Sequence, residues 1–155
     1  MGYYVQTTEG SVTVPKENFD AAYRDLCALN QRDDLKSGGS WGGDGIDARS
    51  PRPAGMDYHP ARWFSWMDAN YPETCKTVKQ IMEMVGFECE LGSNGDLIIN
   101  NYDSKTGSEQ LFMETLSKHC TEGSYFVWRG EEGEMWREEY SGATTKTQTA
   151  TIVWN

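Results

Sequence analysis

Between Lys36 and Pro72 the chain reads KSGGSWGGDGIDARSPRPAGMDYHPARWFSWMDANYP, a stretch rich at once in glycine, proline and tryptophan. Glycine and proline interrupt regular structure. Trp41, Trp63, Phe64, Trp66 and Tyr71, by contrast, are costly to leave in water. A long loop without structure of its own is uncommon in a compact domain unless it works or is disordered. The five aromatic side chains argue against disorder. The stretch therefore demands a fold in which an ordered, aromatic-loaded loop over about 36–72 lies as a lid on a sheet.

The flanking segments supply the rest of that fold. YYVQTTEGSVTV (3–14) reads as a β-hairpin with its turn at Glu9-Gly10, and Pro15 ends the second strand. From Lys16 the period changes. Phe19, Ala22, Tyr23, Leu26 and Leu29 fall on one side of an amphipathic helix that fades at Asn30-Gln31. Pro60 starts a short helix over ARWFSWMDAN, and Pro72 starts another, with Cys75, Val78, Ile81, Met82 and Val85 as its apolar stripe and Gly86 as its cap. FECEL (87–91) and Leu97-Ile98-Ile99 form a second hairpin around Gly92-Ser93-Asn94-Gly95. Ser108 caps a helix with Leu111, Phe112, Thr115 and Leu116 inward, ending near Gly123. Strands over 124–129, 134–140 and 149–155 close the chain. Hairpins feeding helices imply an α+β fold: a mainly antiparallel sheet with helices on one face, in a single domain over 1–155.

Composition limits the function. The 155 residues are 37% hydrophobic and contain six tryptophans, a globular balance. No apolar run is long enough to span a bilayer. The first residues lack a signal-peptide pattern, and Gln6 stands where a myristoylation motif wants Ser or Thr. These features point to the cytoplasm. Cys27, Cys75, Cys89 and Cys120 are scattered with no CxxC pair, so they read as free thiols rather than zinc ligands, and no cofactor is expected. A net charge of −10 disfavours direct binding to nucleic acid or anionic lipid and suits a basic partner.

Three constellations are candidates for function. The first is acidic: Glu131, Glu132, Glu134, Glu138 and Glu139 lie in and beside the turn GEEGE. Residues i and i+2 of a strand share a face about 6.8 Å apart. Glu134 and Glu138 would then line one face and imitate the phosphates of a nucleic acid. The second is the loop, where Trp41, Trp63 and Trp66 with Arg49, Arg52, Arg62 and His59 have the makings of an aromatic-plus-guanidinium pocket for a nucleotide-like ligand. The third is catalytic, and it is thin. His59 competes with a structural imidazole, and His119 sits at a helix C-terminus where a cation needs no further role. GGSWGGDG has glycines but no phosphate-loop lysine.

Met1-Gly2-Tyr3, Trp63-Phe64-Ser65-Trp66 and WRGEEGEMW (128–136) resemble segments of small uncharacterised proteins of bacteriophages and actinobacteria. The resemblance implies a phage or mobile-element setting and brings no activity or site residue with it. The expected function is a non-catalytic acidic protein in a host cell that blocks a protein with a basic, nucleic-acid-binding surface, such as a defence nuclease. Sequestration of a nucleotide-like signal in the loop pocket is the alternative, and a hydrolytic enzyme the least favoured reading. Oligomerisation is left open.

Overall fold

The structure, a computed structural model, describes residues 2–42, 45–142 and 145–150. Its strands are β1 (Tyr4–Glu9), β2 (Val12–Val14), β3 (Gly38–Gly39), β4 (Arg62–Trp63), β5 (Phe87–Leu91), β6 (Leu97–Lys105), β7 (Tyr125–Gly130), β8 (Met135–Glu139) and β9 (Lys146–Thr149). Its helices are α1 (Phe19–Ala28), α2 (Tyr71–Thr74), α3 (Val78–Val85) and α4 (Glu109–Leu116). Seven strands form one antiparallel sheet, and β3 pairs β4 in a separate two-residue ladder. The fold is α+β, as the sequence implies.

The strand pattern dictates which face is covered. Val5, Val12, Val14, Leu97, Ile99, Tyr102, Phe126 and Trp128 are buried and join one apolar cluster with Ala22 and Leu26 of α1, Ile81, Met82 and Val85 of α3, and Phe112, Met113 and Leu116 of α4. Their strand neighbours Gln6, Glu88, Glu90, Asn100 and Arg129 are exposed. Period-2 burial on the sheet meets period-3.6 burial on the helices, so the helices pack on one side.

The hairpin expected over residues 3–14 does not form. β1 and β2 pair not with each other but with opposite ends of β6, Tyr4 opposite Lys105 and Val14 opposite Leu97. Gly10 (φ 98°) is a break between them, and a Cβ there would lie 2.3 Å from the carbonyl oxygen of Tyr125 in β7. A positive-φ glycine serves a tight turn or a bulge equally well. Here the two partner strands, far off in sequence, decide.

The long segment is ordered but contains no helix at 61–70. Arg62-Trp63 is the strand β4, laid against Gly38-Gly39. Absent side chains make that approach possible: a Cβ on Gly38 would come 2.3 Å from Trp63 Nε1. The stripe after Pro72 is also divided. Pro72 stands in the first turn of the four-residue α2, Cys75 is extended, and α3 starts afresh where the Thr77 hydroxyl accepts the Gln80 N–H at 3.1 Å. Gln80 returns the favour by accepting the Lys76 N–H at 2.6 Å.

The β5–β6 hairpin forms as expected, although β6 continues to Lys105. Before α4, the Ser108 hydroxyl reaches Ser65 O rather than a helix N–H, and the Glu109 carboxylate takes the Gly107 N–H at 2.7 Å instead. α4 ends at Leu116, short of Gly123, and a 3₁₀ turn (Ser117–His119) follows. The last strand is Lys146–Thr149, and the expected strand over 149–155 lies almost wholly outside the described residues.

Candidate functional site

The acidic constellation divides in two. The β7–β8 turn presents Glu131, Glu132 and Glu134 to solvent, with Gly133 (φ 89°) making the bend. Glu131 accepts the Tyr4 N–H at 2.8 Å, and Glu134 accepts the Tyr3 hydroxyl. Two of the three carboxylates are thus fixed from behind by the first residues of the chain. Glu139, half-exposed on β8, pairs with Arg137, whose hydrogen bond holds its carboxyl below the usual range. The Arg137 guanidinium in turn lies 4.5 Å from the Tyr125 ring.

Glu138 corrects the expected ladder. It is only 9% exposed and faces the core beneath α4. Its Oε2 accepts the Tyr140 hydroxyl at 2.7 Å and its Oε1 accepts Trp136 Nε1–H at 3.1 Å. The Gln110 amide nitrogen, in the orientation its neighbours require, donates to Oε2 at 2.6 Å. Trp128 Nε1–H completes the chain by donating to the Tyr140 oxygen at 2.9 Å. Burial raises the Glu138 carboxyl pKa above its ordinary value despite these donors. Glu134 lies in the turn, before the strand's alternation begins, so it shares no face with Glu138.

The aromatic loop does not gather its indoles round one cavity. Trp41 is 62% exposed with the Arg49 guanidinium 5.8 Å from its ring, Trp63 lies on Gly38, and Trp66, 52% exposed, lies over Gly107. Trp66 also holds a left-handed backbone (φ 71°), a conformation that costs a non-glycine residue about 1–2 kcal/mol. The lid is made instead by Phe64, Met67 and Tyr71, which enter the core.

The loop's cations are committed locally. Arg49 bonds Asp47 at 2.8 Å, and that bond holds the Asp47 carboxyl down at about 2. Arg52 bonds Asp33 at 2.8 Å and Gln31 O at 2.6 Å, while Arg62 reaches Lys36 O at 3.4 Å. Asp33 also takes Lys36 Nζ at 2.8 Å. Burial pushes Asp33 up, but the Lys36 and Arg52 hydrogen bonds more than offset it and leave its pKa lowered.

His59 is a structural imidazole. It is 2% exposed, its Nε2–H donates to Ser50 O at 2.7 Å, and its Nδ1 accepts the Ala61 N–H at 3.1 Å. Both ring nitrogens are thereby engaged by the backbone. His119 bonds Asp25 at 2.6 Å and ties the turn after α4 to α1. The four cysteines are free, and burial pushes the Cys89 and Cys120 thiols up to about 12. Among the described residues no His/Cys/Asp/Glu group gathers to hold a metal, and no helix is long and apolar enough to cross a membrane.

A cleft of about 390 Å³ opens elsewhere, between one side of α1 and residues 57–72. Tyr23, Arg24 and Cys27 line it from the helix, Asp57, Tyr58 and Asn70 from the loop, and Asn30 from the turn after the helix. Tyr23 is fixed by its hydroxyl, which reaches Pro72 O (2.9 Å) and Cys75 O (2.6 Å). None of these residues stands in the expected pocket, because the sequence signal there was aromatic density. The cleft's own signal is weaker: a polar edge, Arg24-…-Asn30-Gln31, on an otherwise amphipathic helix, and a Tyr beside His59.

No protein-family model, curated protein or solved structure matches the chain. The structure defines the chain as an α+β domain with an antiparallel sheet covered on one face by helices.

Proposed function

We propose that the protein is a non-catalytic binding protein that meets a basic, nucleic-acid-binding surface of a host protein through the acidic turn between β7 and β8. One observation carries this reading: Glu131 and Glu134 are exposed yet held by Tyr4 and Tyr3. Ordering a free side chain at an interface costs about 0.5–1.5 kcal/mol. Carboxylates already held in place avoid part of that cost, and Glu132 between them adds a third charge. The net charge of −10 supplies long-range attraction to a cationic surface. Glu138 is no part of this surface, and Glu139 contributes little while it is paired with Arg137. A defence nuclease of a phage's host has the required chemistry.

The test is capture from lysate of the native host with wild type and with E131Q/E132Q/E134Q, followed by affinity measurement on the purified partner. The wild type is expected to hold a basic protein at low salt and release it at high salt. The triple variant should bind at least about tenfold more weakly, the equivalent of 1.4 kcal/mol. A partner whose affinity responds to neither salt nor the three substitutions would end this reading.

A further inference from the structure

We propose that the outer edge of β5 is a docking site for an extended, basic segment of a partner protein, which joins the sheet as one more strand. The edge shares no residue with the acidic turn, so it stands or falls independently of that interface.

The edge is unpaired and regular. Among the described residues β5 pairs with β6 alone, and no loop hydrogen-bonds to the backbone of its other side. The one irregularity of that ladder falls on β6, where Asn100 is the extra residue between Ile99 and Asn101, so β5 keeps its alternation. Phe87, Cys89 and Leu91 face the helical side, and Glu88 and Glu90 face the open side. A free row of backbone N–H and C=O groups is a template for a further strand.

Two features choose the occupant. The first is charge. Glu88 and Glu90 are exposed, and the Asn100 amide donates to Glu90 Oε1 at 3.0 Å. Residues opposite them in an added strand lie on the same face with Cβ atoms about 5 Å away, where Lys or Arg is favoured. A second copy of this chain is disfavoured by the same rule. Two β5 strands paired antiparallel about Cys89 set Glu88 against Glu90 in both halves, and like charges directly opposite are destabilising. Lys79 on α3 does not offset the two glutamates, because it is paired with Glu83 at 3.0 Å. The second feature is apolar. Leu91 is 57% exposed although it faces the helical side, and with Phe19, Val78 and Leu97 it lines a recess of about 170 Å³. Small-molecule sites begin at about 300 Å³, so this recess suits one aliphatic side chain. An antiparallel segment that meets both features reads apolar, basic, any residue, basic, with its apolar residue opposite Leu91.

The experiment is an NMR titration of the ¹⁵N-labelled protein with the blocked peptide GSLKVKVTG to about 1 mM, where even a weak site begins to fill. Saturable shifts are expected along β5 and at Val78. Exchanging both lysines of the peptide for glutamate, or its leucine for glycine, should weaken binding about tenfold. Glu88→Gln combined with Glu90→Gln should do the same from the protein's side, and so should Leu91→Asp, all at exposed positions. Two peptides N-methylated on alternate amides keep every side chain. The set whose methyls face β5 should not bind, and the other set should bind as the parent does, because the contact is made through the backbone. E131Q/E132Q/E134Q should leave the titration unchanged. The proposal is overturned if the peptide gives no saturable shifts on β5, if both N-methylated sets bind alike, or if the shifts centre on the acidic turn. It is equally overturned if the free protein dimerises through β5, read as shifts along that strand on dilution.

Discussion

At the scale of single residues, Glu138 concentrates the most chemistry in the least space. Its folded pKa is raised by burial, so the folded state holds its proton more tightly than the unfolded chain does. The stability it contributes is fully present below the ordinary carboxylate range and is lost as pH rises through the folded value. Glu138→Gln removes that loss, and Gln110 can turn its amide to present oxygen instead of nitrogen to the new side chain. The variant should be more stable than wild type at pH 7. The gap should close near pH 4. Urea unfolding followed by tryptophan fluorescence at both pH values measures it. Glu138→Ala, which strands Tyr140 and Trp136 without their acceptor, should instead cost about 3 kcal/mol. A Gln variant weaker than wild type at pH 7 would mean the three donors, and not burial, dominate the site.

At the scale of elements, Gly10 and Gly133 separate two uses of one backbone conformation. Both have φ near 90°, but a Cβ at Gly133 meets open space, while one at Gly10 meets a backbone oxygen of β7. Gly133→Ala should therefore lose only the left-handed penalty, about 1 kcal/mol. Gly10→Ala has to open the break between β1 and β2 and should lose about 2 kcal/mol or more. Equal losses in thermal unfolding would argue that Gly10 sits in a simple turn. The same contrast explains what was legible beforehand. Val5, Val12 and Val14 announce strands by alternation, and Phe19, Ala22 and Leu26 announce a helix, because periodicity is local. That β1 and β2 pair with β6 is not local, and Glu9-Gly10 carries no mark of it. Trp63 and Trp66 sit at helical spacing, yet the glycines at 38–39 draw Arg62-Trp63 into a ladder. In the acidic strand the alternation itself carries the signal. Trp136, Glu138 and Tyr140 alternate, so a glutamate flanked at i±2 by aromatics that face the core must face it too. The cleft was illegible for another reason, since Tyr23 of α1 and Tyr58 of the loop line it together only once the fold has closed. In the same thermal unfolding Thr77→Ala should cost about 1 kcal/mol, because α3 restarts on that hydroxyl.

At the scale of the whole molecule, charge works in two opposed ways. Asp25 is linked to Lys118 and His119, and Asp33 to Lys36 and Arg52, so attraction ties α1 to the turn after α4 and the long segment to the turn that precedes it. For both carboxyls burial acts upward and the hydrogen bonds from these partners act downward more strongly, leaving the folded pKa lowered. Their contribution is present above the unfolded carboxylate pKa and is lost as pH falls through the lowered folded value. Against this attraction stands a net charge of −10, which repels itself across the surface. The ion pairs are few and short-ranged, whereas the repulsion is summed over many separated charges, so salt should relieve more than it weakens. At pH 7 the melting temperature should rise as ionic strength goes from about 0.01 M to 0.1 M, where the screening length shrinks from about 30 to 10 Å. Near the isoelectric point of 4.6 the rise should vanish, because the net repulsion vanishes while the ion pairs persist. Differential scanning calorimetry at the two pH values reads both. A melting temperature that falls with salt at pH 7 would mean that the paired aspartates outweigh the unpaired surface, and the acidic turn would then lose its claim to a free, long-reaching field.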